Sequence, residues 1–437
     1  MKILVFGSDS CAHALAWKLV NSNFVEDLIL APGNGGTAFF APSTALAPDD
    51  HAALTSFVLA EQIDLVVADS ASIAAGVADE VGSLPLPVFG SSRALERLQR
   101  SRCAAREWLQ QHGLPLPRGR VCSSYAQAEK YAATLPPPLV IAADAPTGPA
   151  LICTDRTAVP QAIDECMDGG AGSSVIVEEL VTGPLVTASI LTDGATSLPL
   201  PAARLYPAAA RPYAGATGVH GAATPLWSKL ESFLTQQVRQ PLLKALQDDA
   251  AGARGWIGAT CVVGPRGPLV QSLHLTPSGL EAVATLLRLD GDLLPLLIGC
   301  ARGTLAAVQP PQWRTDAVAG AALCRSNVAL SGPGVSLDAL AAFDPGVLIF
   351  HHATTPTMPN TYVPLAARFG GASLPKLGLG LGVGSSLSTT TASDPVIAIV
   401  ATAAPDLKTA RERLYANLGR SAIATVVYRE DVAAREL

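Results

Sequence analysis

The chain has 437 residues, a formal net charge of −6 and no block of lysine or arginine, so nothing in it indicates a nucleic-acid or anionic-membrane partner. Only 15% of residues are charged, against roughly 25% in ordinary soluble domains, while 49% are hydrophobic. That balance predicts large buried cores and excludes a disordered chain, and no apolar run reaches the roughly 18 residues of a membrane span.

The length suits two to four packed units. Cys11, Cys103, Cys122, Cys153, Cys166, Cys261, Cys300 and Cys324 form no C-x-x-C pair. They are expected as small buried residues of a reducing cytosol, not as zinc ligands. The opening MKILVFG enters a strand at once without a signal-peptide pattern, so a cytoplasmic protein is expected.

Lys2–Gly7, followed by the helical pattern CAHALAWKLVNS, reads as the strand–loop–helix start of a doubly wound sheet. A phosphate loop there would be glycine-rich, but Gly7 is followed by Ser8, Asp9 and Ser10, and Asp9 would repel an anion. A second strand, LILA, leads into Pro32-Gly33-Asn34-Gly35-Gly36-Thr37 at a strand's carboxyl end, which reads either as a ligand loop or as a plain turn. IDLVVA and Val88–Gly90 supply two more strands. Ala94–His112 reads as one helix, closed by Gly113 and the linker Leu114-Pro115-Leu116-Pro117. Its arginines are either solvated or, at Arg102, in contact with a phosphate across a domain cleft.

Leu139–Asp155, LVIAADAPTGPALICTD, reads as strand, tight turn, strand, a shape that can close over a nucleotide. A lid that grips phosphates needs cations or bare backbone N–H groups. This one has no cation before Arg156 and two prolines that each remove a donor. Glu178 and Glu179 end the strand SVIVEEL, where carboxylates can hold a ribose or a base. The stretch 199–225 is rich in Ala, Pro and Gly. A helix at 226–246 should kink at Pro241. In the strand LVQSLHL, alternation puts Gln271, Leu273 and Leu275 on one face, with His274 opposite. Metal chemistry there would want carboxylates. From Ala317 short strands and a helix at 407–418 predict a small α+β unit, interrupted by the Gly/Ser/Thr-rich stretch 378–394. His351-His352 has no companion ligands at metal-site spacing.

The motifs HALAWKL and APGNGGTA, then IDLVV, VFG, Ser101-Arg102, a lid hairpin and VIVEEL, in that order, resemble the glycinamide ribonucleotide synthetase (phosphoribosylamine–glycine ligase) family of the ATP-grasp fold. The resemblance implies an α/β chain with a Rossmann-like pre-ATP-grasp domain over residues 1–100. An ATP-grasp domain follows over 101–316, its lid at about 121–190, and a small α+β C-terminal domain over 317–437. It implies ligation of phosphoribosylamine to glycine with ATP and Mg²⁺, a step of purine synthesis.

Carried over residue by residue, the family positions keep Arg102 for the Ser-Lys lysine, and Glu178, Glu179 and Leu180 beside the adenine. Gly7, Ser8, Gly33 and Asn34 fall at the substrate loops. The lid lysine falls on Ala142, the Gly-Lys-Gly turn on Gly148-Pro149-Ala150, and the metal-binding Glu and Asn on Gln271 and Leu273. The later Glu pair becomes Pro184-Leu185, and the substrate loop becomes the Ala-rich stretch near 214–222. Apolar positions survive where charged ones do not. The expectation is therefore a degenerate, non-catalytic member acting as a binding or scaffold protein, with no catalytic residue, no metal site, no cofactor, and an unknown protein or small molecule as partner. The alternative is a divergent ligase using ATP and Mg²⁺, with Arg102, Arg204 or Arg211 standing in for the lid lysine.

Overall fold

A computed structural model of the chain describes residues 1–145, 148–168, 174–206, 215–218, 225–249, 252–325, 343–355, 389–390, 396–420 and 426–434. Most of the 199–225 and 378–394 stretches, with Arg211 and His220, lie outside the described residues.

The first unit runs β1 (Lys2–Gly7), α1 (Ser10–Leu19), β2 (Asp27–Pro32), α2 (His51–Ala60), β3 (Leu65–Val67), α3 (Ser70–Ala75), α4 (Val77–Val81) and β4 (Val88–Phe89). Its strands are parallel in the order β2-β1-β3-β4. Parallel sheets are covered on both faces, which explains the unbroken apolar runs read from the sequence. Ile3, Val5, Leu28 and Leu65 share one core with α1 and Trp256; Leu4, Phe6, Ile29 and Val66 share another with α2 and Ile73. Both cores run on into the strands that follow the lid, so this unit is welded to the rest rather than tethered.

The expected single helix at 94–112 is two, α5 (Glu96–Arg100) and α6 (Arg102–Gln111). Ser101 is extended at φ −121° and ψ 116°, and its hydroxyl accepts from the Ala104 N–H as N-cap of α6. A serine cap competes with helix continuation, and here it wins.

The lid comprises β5 (Gly119–Cys122), α7 (Tyr125–Ala132), β6 (Leu139–Ala143), β7 (Ala150–Cys153), α8 (Val159–Asp168) and β8 (Val175–Glu179). Its antiparallel sheet has the order β5-β8-β6-β7. Leu139, Ile141, Val175 and Val177 pack on Ala128, Ala132 and Ile163 of its two helices. By alternation, Val140, Ala142 and Ile176 face the opposite way.

Next come β9 (Leu185–Thr192), β10 (Ser197–Pro199), β11 (Ala203–Tyr206), β12 (Gly215–Gly218), α9 (Pro225–Leu234), α10 (Gln240–Asp248), β13 (Gly255–Gly264), β14 (Gly267–His274) and α11 (Gly279–Leu286). Between α9 and α10, Thr235–Arg239 form a π-helical turn, just before Pro241. A proline lacks the amide for the preceding turn, so the irregularity sits where the sequence placed a kink. β15 (Leu289–Asp290), α12 (Leu294–Arg302) and β16 (Gln312–Trp313) lead to β17 (Ala317–Arg325), β18 (Val347–His351), β19 (Thr354–Thr355), β20 (Thr389–Thr390), β21 (Val396–Ala404), α13 (Leu407–Leu418) and β22 (Val426–Val427). One sheet runs β14-β13-β9-β11-β12-β17-β21-β18, so the C-terminal strands extend the central sheet through β12. Among the described residues no helix is long and apolar enough to cross a membrane.

The C-terminal strands are fastened to the first unit by histidines. His13 Nδ1 accepts the His351 N–H at 2.9 Å, and His351 Nδ1 meets Thr354 Oγ1 at 3.0 Å. Phe40 and Phe350 pack on the His13 ring, and Gly36 lies so close that a side chain there would strike both imidazoles. Burial holds both imidazoles below their ordinary value, His351 at about 4 and His13 well down, the latter also through His351. A folded value below the unfolded one means stability is full above about pH 6.5 and is lost as pH falls toward the folded values. Urea unfolding at pH 7.5, 6 and 5 should therefore show an acid loss approaching ~1.4 kcal/mol per pH unit per imidazole. A His13→Asn, His351→Asn double variant should be destabilised but lose much of that pH slope. An unchanged slope would contradict the assignment.

Candidate functional site

A cleft of about 750 Å³ opens between the lid and the central sheet. The apolar face of the lid supplies Val140, Ala142, Ile152 and Ile176; α6 supplies Arg102, Ala105, Arg106 and Leu109; the floor is Val262 and Val270–Leu273. The volume suits a small molecule.

The break at Ser101 ties the lid to the floor. Asp144, just past β6, accepts at Oδ1 from the Ser101 hydroxyl at 2.6 Å and from the Cys103 N–H at 2.8 Å. Its carbonyl accepts the Arg102 N–H at 2.8 Å. A carboxylate on a helix N-terminus satisfies otherwise orphaned amides and meets the positive end of the helix dipole. Arg102 then reaches under the hairpin, donating from Nη1 to the carbonyls of Ala143 and Gly148 at 3.2 Å each and of Pro149 at 3.5 Å. Burial draws its value down from the ordinary guanidinium range. The lid hairpin thus carries its cation as an internal peg.

Arg106 and Glu178 form a buried ion pair at 2.5 Å, and Arg106 Nη2 donates to the Pro117 carbonyl at 2.8 Å. Burial pushes the Glu178 carboxyl up, while the guanidinium pulls it back. Glu179 does not line the cleft. It points to the other face of β8, accepting from the Arg118 N–H at 2.7 Å and pairing with Arg266. Burial opposes its charge, but those donors win and hold its carboxyl low. The paired reading of Glu178 and Glu179 is thereby corrected by strand alternation: Glu178 and Leu180 reach the cleft and Glu179 does not. The Leu180 N–H is engaged by the Pro138 carbonyl at 3.2 Å.

The expected common face of Gln271, Leu273 and Leu275 is also corrected. Pairing passes from Thr260↔Ser272 to Cys261↔Val270, so Gln271 is an extra residue in a β-bulge. A bulge turns its side chain out of the alternation. Gln271 is exposed in the cleft, whereas Leu273 and Leu275 are buried in the core beneath. Ala142 is buried with Cys103 and Ile176 in a small apolar cluster. Among the described residues no group of three or more His, Cys, Asp or Glu side chains could hold a metal ion.

A second, smaller cavity of about 140 Å³ sits at the carboxyl ends of β1 and β3, lined by Ser8, Asp9, Asp69, Ser70, Trp256 and Thr276 among others. Asp9 caps α1 through the Ala12 N–H at 2.8 Å, and Asp69 caps α3 through the Ser72 N–H at 2.8 Å. The helix ends that would meet an anion are closed by the chain's own carboxylates. Burial raises the Asp9 carboxyl despite its cap. Gly7 adopts φ +123° where its missing side chain clears Ala12. Gly33 and Asn34 do not line this cavity. Asn34 is buried behind it, its amide donating to the Ser8 and His351 carbonyls at 2.9 and 3.0 Å and its Oδ1 accepting from Gly36 and Thr37. In this structure the loop turns so that Asn34 supports Ser8. Sequence reasoning passed over Asp69 and Asp144, although Asp69 ends a strand just as Asp9 does, and it read Arg106 among the helix arginines as solvated or phosphate-facing, whereas it is buried against Glu178.

Residues 1–99 match the family described as phosphoribosylglycinamide synthetase, N domain, and residues 100–274 match its ATP-grasp (A) domain. The phosphoribosylamine–glycine ligase of Caulobacter vibrioides is 30% identical over 374 residues, 81% of this chain and 86% of that protein. The chain belongs to the phosphoribosylamine–glycine ligase family. The Phenylobacterium zucineum relative is 29% identical over 455 residues, covering 100% of both chains. The crystal structure of the Thermotoga maritima phosphoribosylamine–glycine ligase superposes with a TM-score of 0.74 at 16% identity, over 99% of this chain and 100% of that one. The fold is accordingly an ATP-grasp α/β fold preceded by the family's N domain, as the motif order implied.

The Arg106–Glu178 pair fixes the relation of α6 to the lid. Arg106→Met should strand a buried carboxylate and lower unfolding stability by about 3–5 kcal/mol, whereas Arg106→Met with Glu178→Leu should recover most of the loss. Equal losses in the two variants, read by denaturant titration, would show that packing rather than charge dominates.

Proposed function

We propose that this member of the ligase family is a non-catalytic binding protein that keeps the ATP-grasp cleft without the groups for metal-assisted phosphoryl transfer. The observation that carries this is the floor of the cleft. In-line transfer from ATP needs cations and metal ions around the triphosphate. The positions where the family resemblance expects metal ligands hold Gln271, a neutral amide, and Leu273, whose side chain is in the core. The lid position that would carry a lysine is a buried alanine in an apolar cluster. A magnesium-bound triphosphate does not fit these residues. The second cavity supports the same reading, because Asp9 and Asp69 present carboxylates where a phosphoribosyl group would bring negative charge.

The rival reading, a divergent ligase, is favoured by two observations: similarity to phosphoribosylamine–glycine ligases extends over most of the chain, and Arg102 and Glu178 line the cleft. The two separate in a direct assay. With phosphoribosylamine, glycine and MgATP, no glycinamide ribonucleotide should form above a no-enzyme control. Gln271→Glu, Leu273→Asn or Ala142→Lys alone should not restore it, because residues acting as one unit are strongly non-additive. Clear product from the unmodified protein, abolished by Arg102→Ala, would establish the ligase.

A further inference from the structure

We propose that residues 275–278, which join β14 to α11, form a strap that gates the second cavity. Its ends are pinned to the central sheet, and its middle is tied to neighbouring helices by neutral hydrogen bonds that release. Leu275, Thr276 and Pro277 line that cavity, and the first unit lines it with Ser8, Cys11 and Ser70. Access to the cavity is set in this way whichever reading of the lid cleft holds.

The ends of the strap meet at a buried carboxylate. Glu281, 1% exposed in the first turn of α11, accepts from the Ser189 hydroxyl of β9 and from Trp256 Nε1 of β13 at 3.4 Å. It also meets His274 Nε2, at the end of β14, at 3.2 Å. Burial opposes the Glu281 charge, but His274 and the other donors win and hold its carboxyl low. Gly258 lies against this group, where a side chain would strike both Ser189 and His274. Ser278 caps α11 through the Glu281 N–H at 3.2 Å. Pulling Glu281 away would strand a buried charge, so the end of β14 and the start of α11 stay together.

The middle is held differently. Thr276 Oγ1 meets Ser70 Oγ of α3 at 2.7 Å, and the Leu275 N–H donates to Gln99 Oε1 of α5 at 3.2 Å. Both bonds are neutral and part-buried, so water replaces them at little net cost. Pro277 has no N–H to add another tie, and its fixed φ stiffens the segment, so the strap swings as one piece between its pinned ends.

Cys11 is a built-in reporter, because it lines the cavity and is only 6% exposed. Burial, then Asp9, Glu281 and Asp69, pushes its thiol well up, so its alkylation is slow and follows access to the cavity. The test is iodoacetamide labelling of the full chain at pH 8.5, followed residue by residue by peptide mass spectrometry. Cys300, buried within α12, serves as the reference for global opening. Thr276→Val and Gln99→Leu each cut one tie. Each should speed Cys11 labelling about fivefold, the loss of one neutral hydrogen bond, and the double variant should multiply the two effects. Cys300 labelling and the urea midpoint should not move. Ser70→Cys combined with Thr276→Cys, oxidised with diamide so that the two sulfurs join, should slow Cys11 below the rate of the unmodified chain. Cys11 labelling unchanged in the tie-cutting variants, or rising by the same factor at Cys300, would overturn the strap. So would a sulfur-bridged chain that labels at Cys11 as fast as the unmodified one.

Discussion

The placement of the cleft depends on one carboxylate. Asp144 sits past the end of β6 and caps the start of α6, which belongs to the wall of the cleft, so a single side chain couples the lid to the body. The cap can form only because the helix read from the sequence breaks at Ser101. A continuous helix would have no free amides there to receive a carboxylate. With the break in place, Arg102 starts a new helix and its side chain is delivered to the hairpin carbonyls, while Arg106, one turn on, meets Glu178 of β8. Lid position, cation position and the buried pair are consequences of the same interrupted helix.

The fold was legible because it is written in apolar periodicity. Runs such as ILVF and LVV suit strands buried on two faces, and the helices between them suit parallel pairing. What periodicity could not show was where a local polar group overrides it. Ser101 divides a helix whose apolar spacing is continuous, and the bulge at Gln271 shifts a strand whose alternation looks regular. In both cases the deciding interaction is made with residues distant in sequence, Asp144 for the first and Cys261 of the neighbouring strand for the second.

What the resemblance picked out, it picked out as single positions and not as an assembly. Ala142, Gln271 and Leu273 stood out one by one, and the structure puts all three around one cleft. Glu178 and Glu179, adjacent in sequence, were read together, although neighbours on a strand face opposite ways. The partners of the charged groups were not legible at all. Nothing in the string ties Arg106 to Glu178 or Asn34 to the Ser8 carbonyl, since those contacts exist only once the units are packed.

The pattern of what is kept follows from the cost of burying charge. A carboxylate or a lysine at a nucleotide site is tolerated while a ligand or metal answers it; without one it sits unpaired against a lid of alanine, valine and isoleucine. A buried charge lacking a partner is among the most destabilising features a core can hold. Leucine and alanine carry no such penalty, and Leu273 and Ala142 both sit in apolar clusters. The charges that remain are those with a partner inside the protein: Glu178 with Arg106, Glu179 with Arg266, Arg102 with the hairpin carbonyls. The charged groups of the cleft are therefore ones that the fold itself requires.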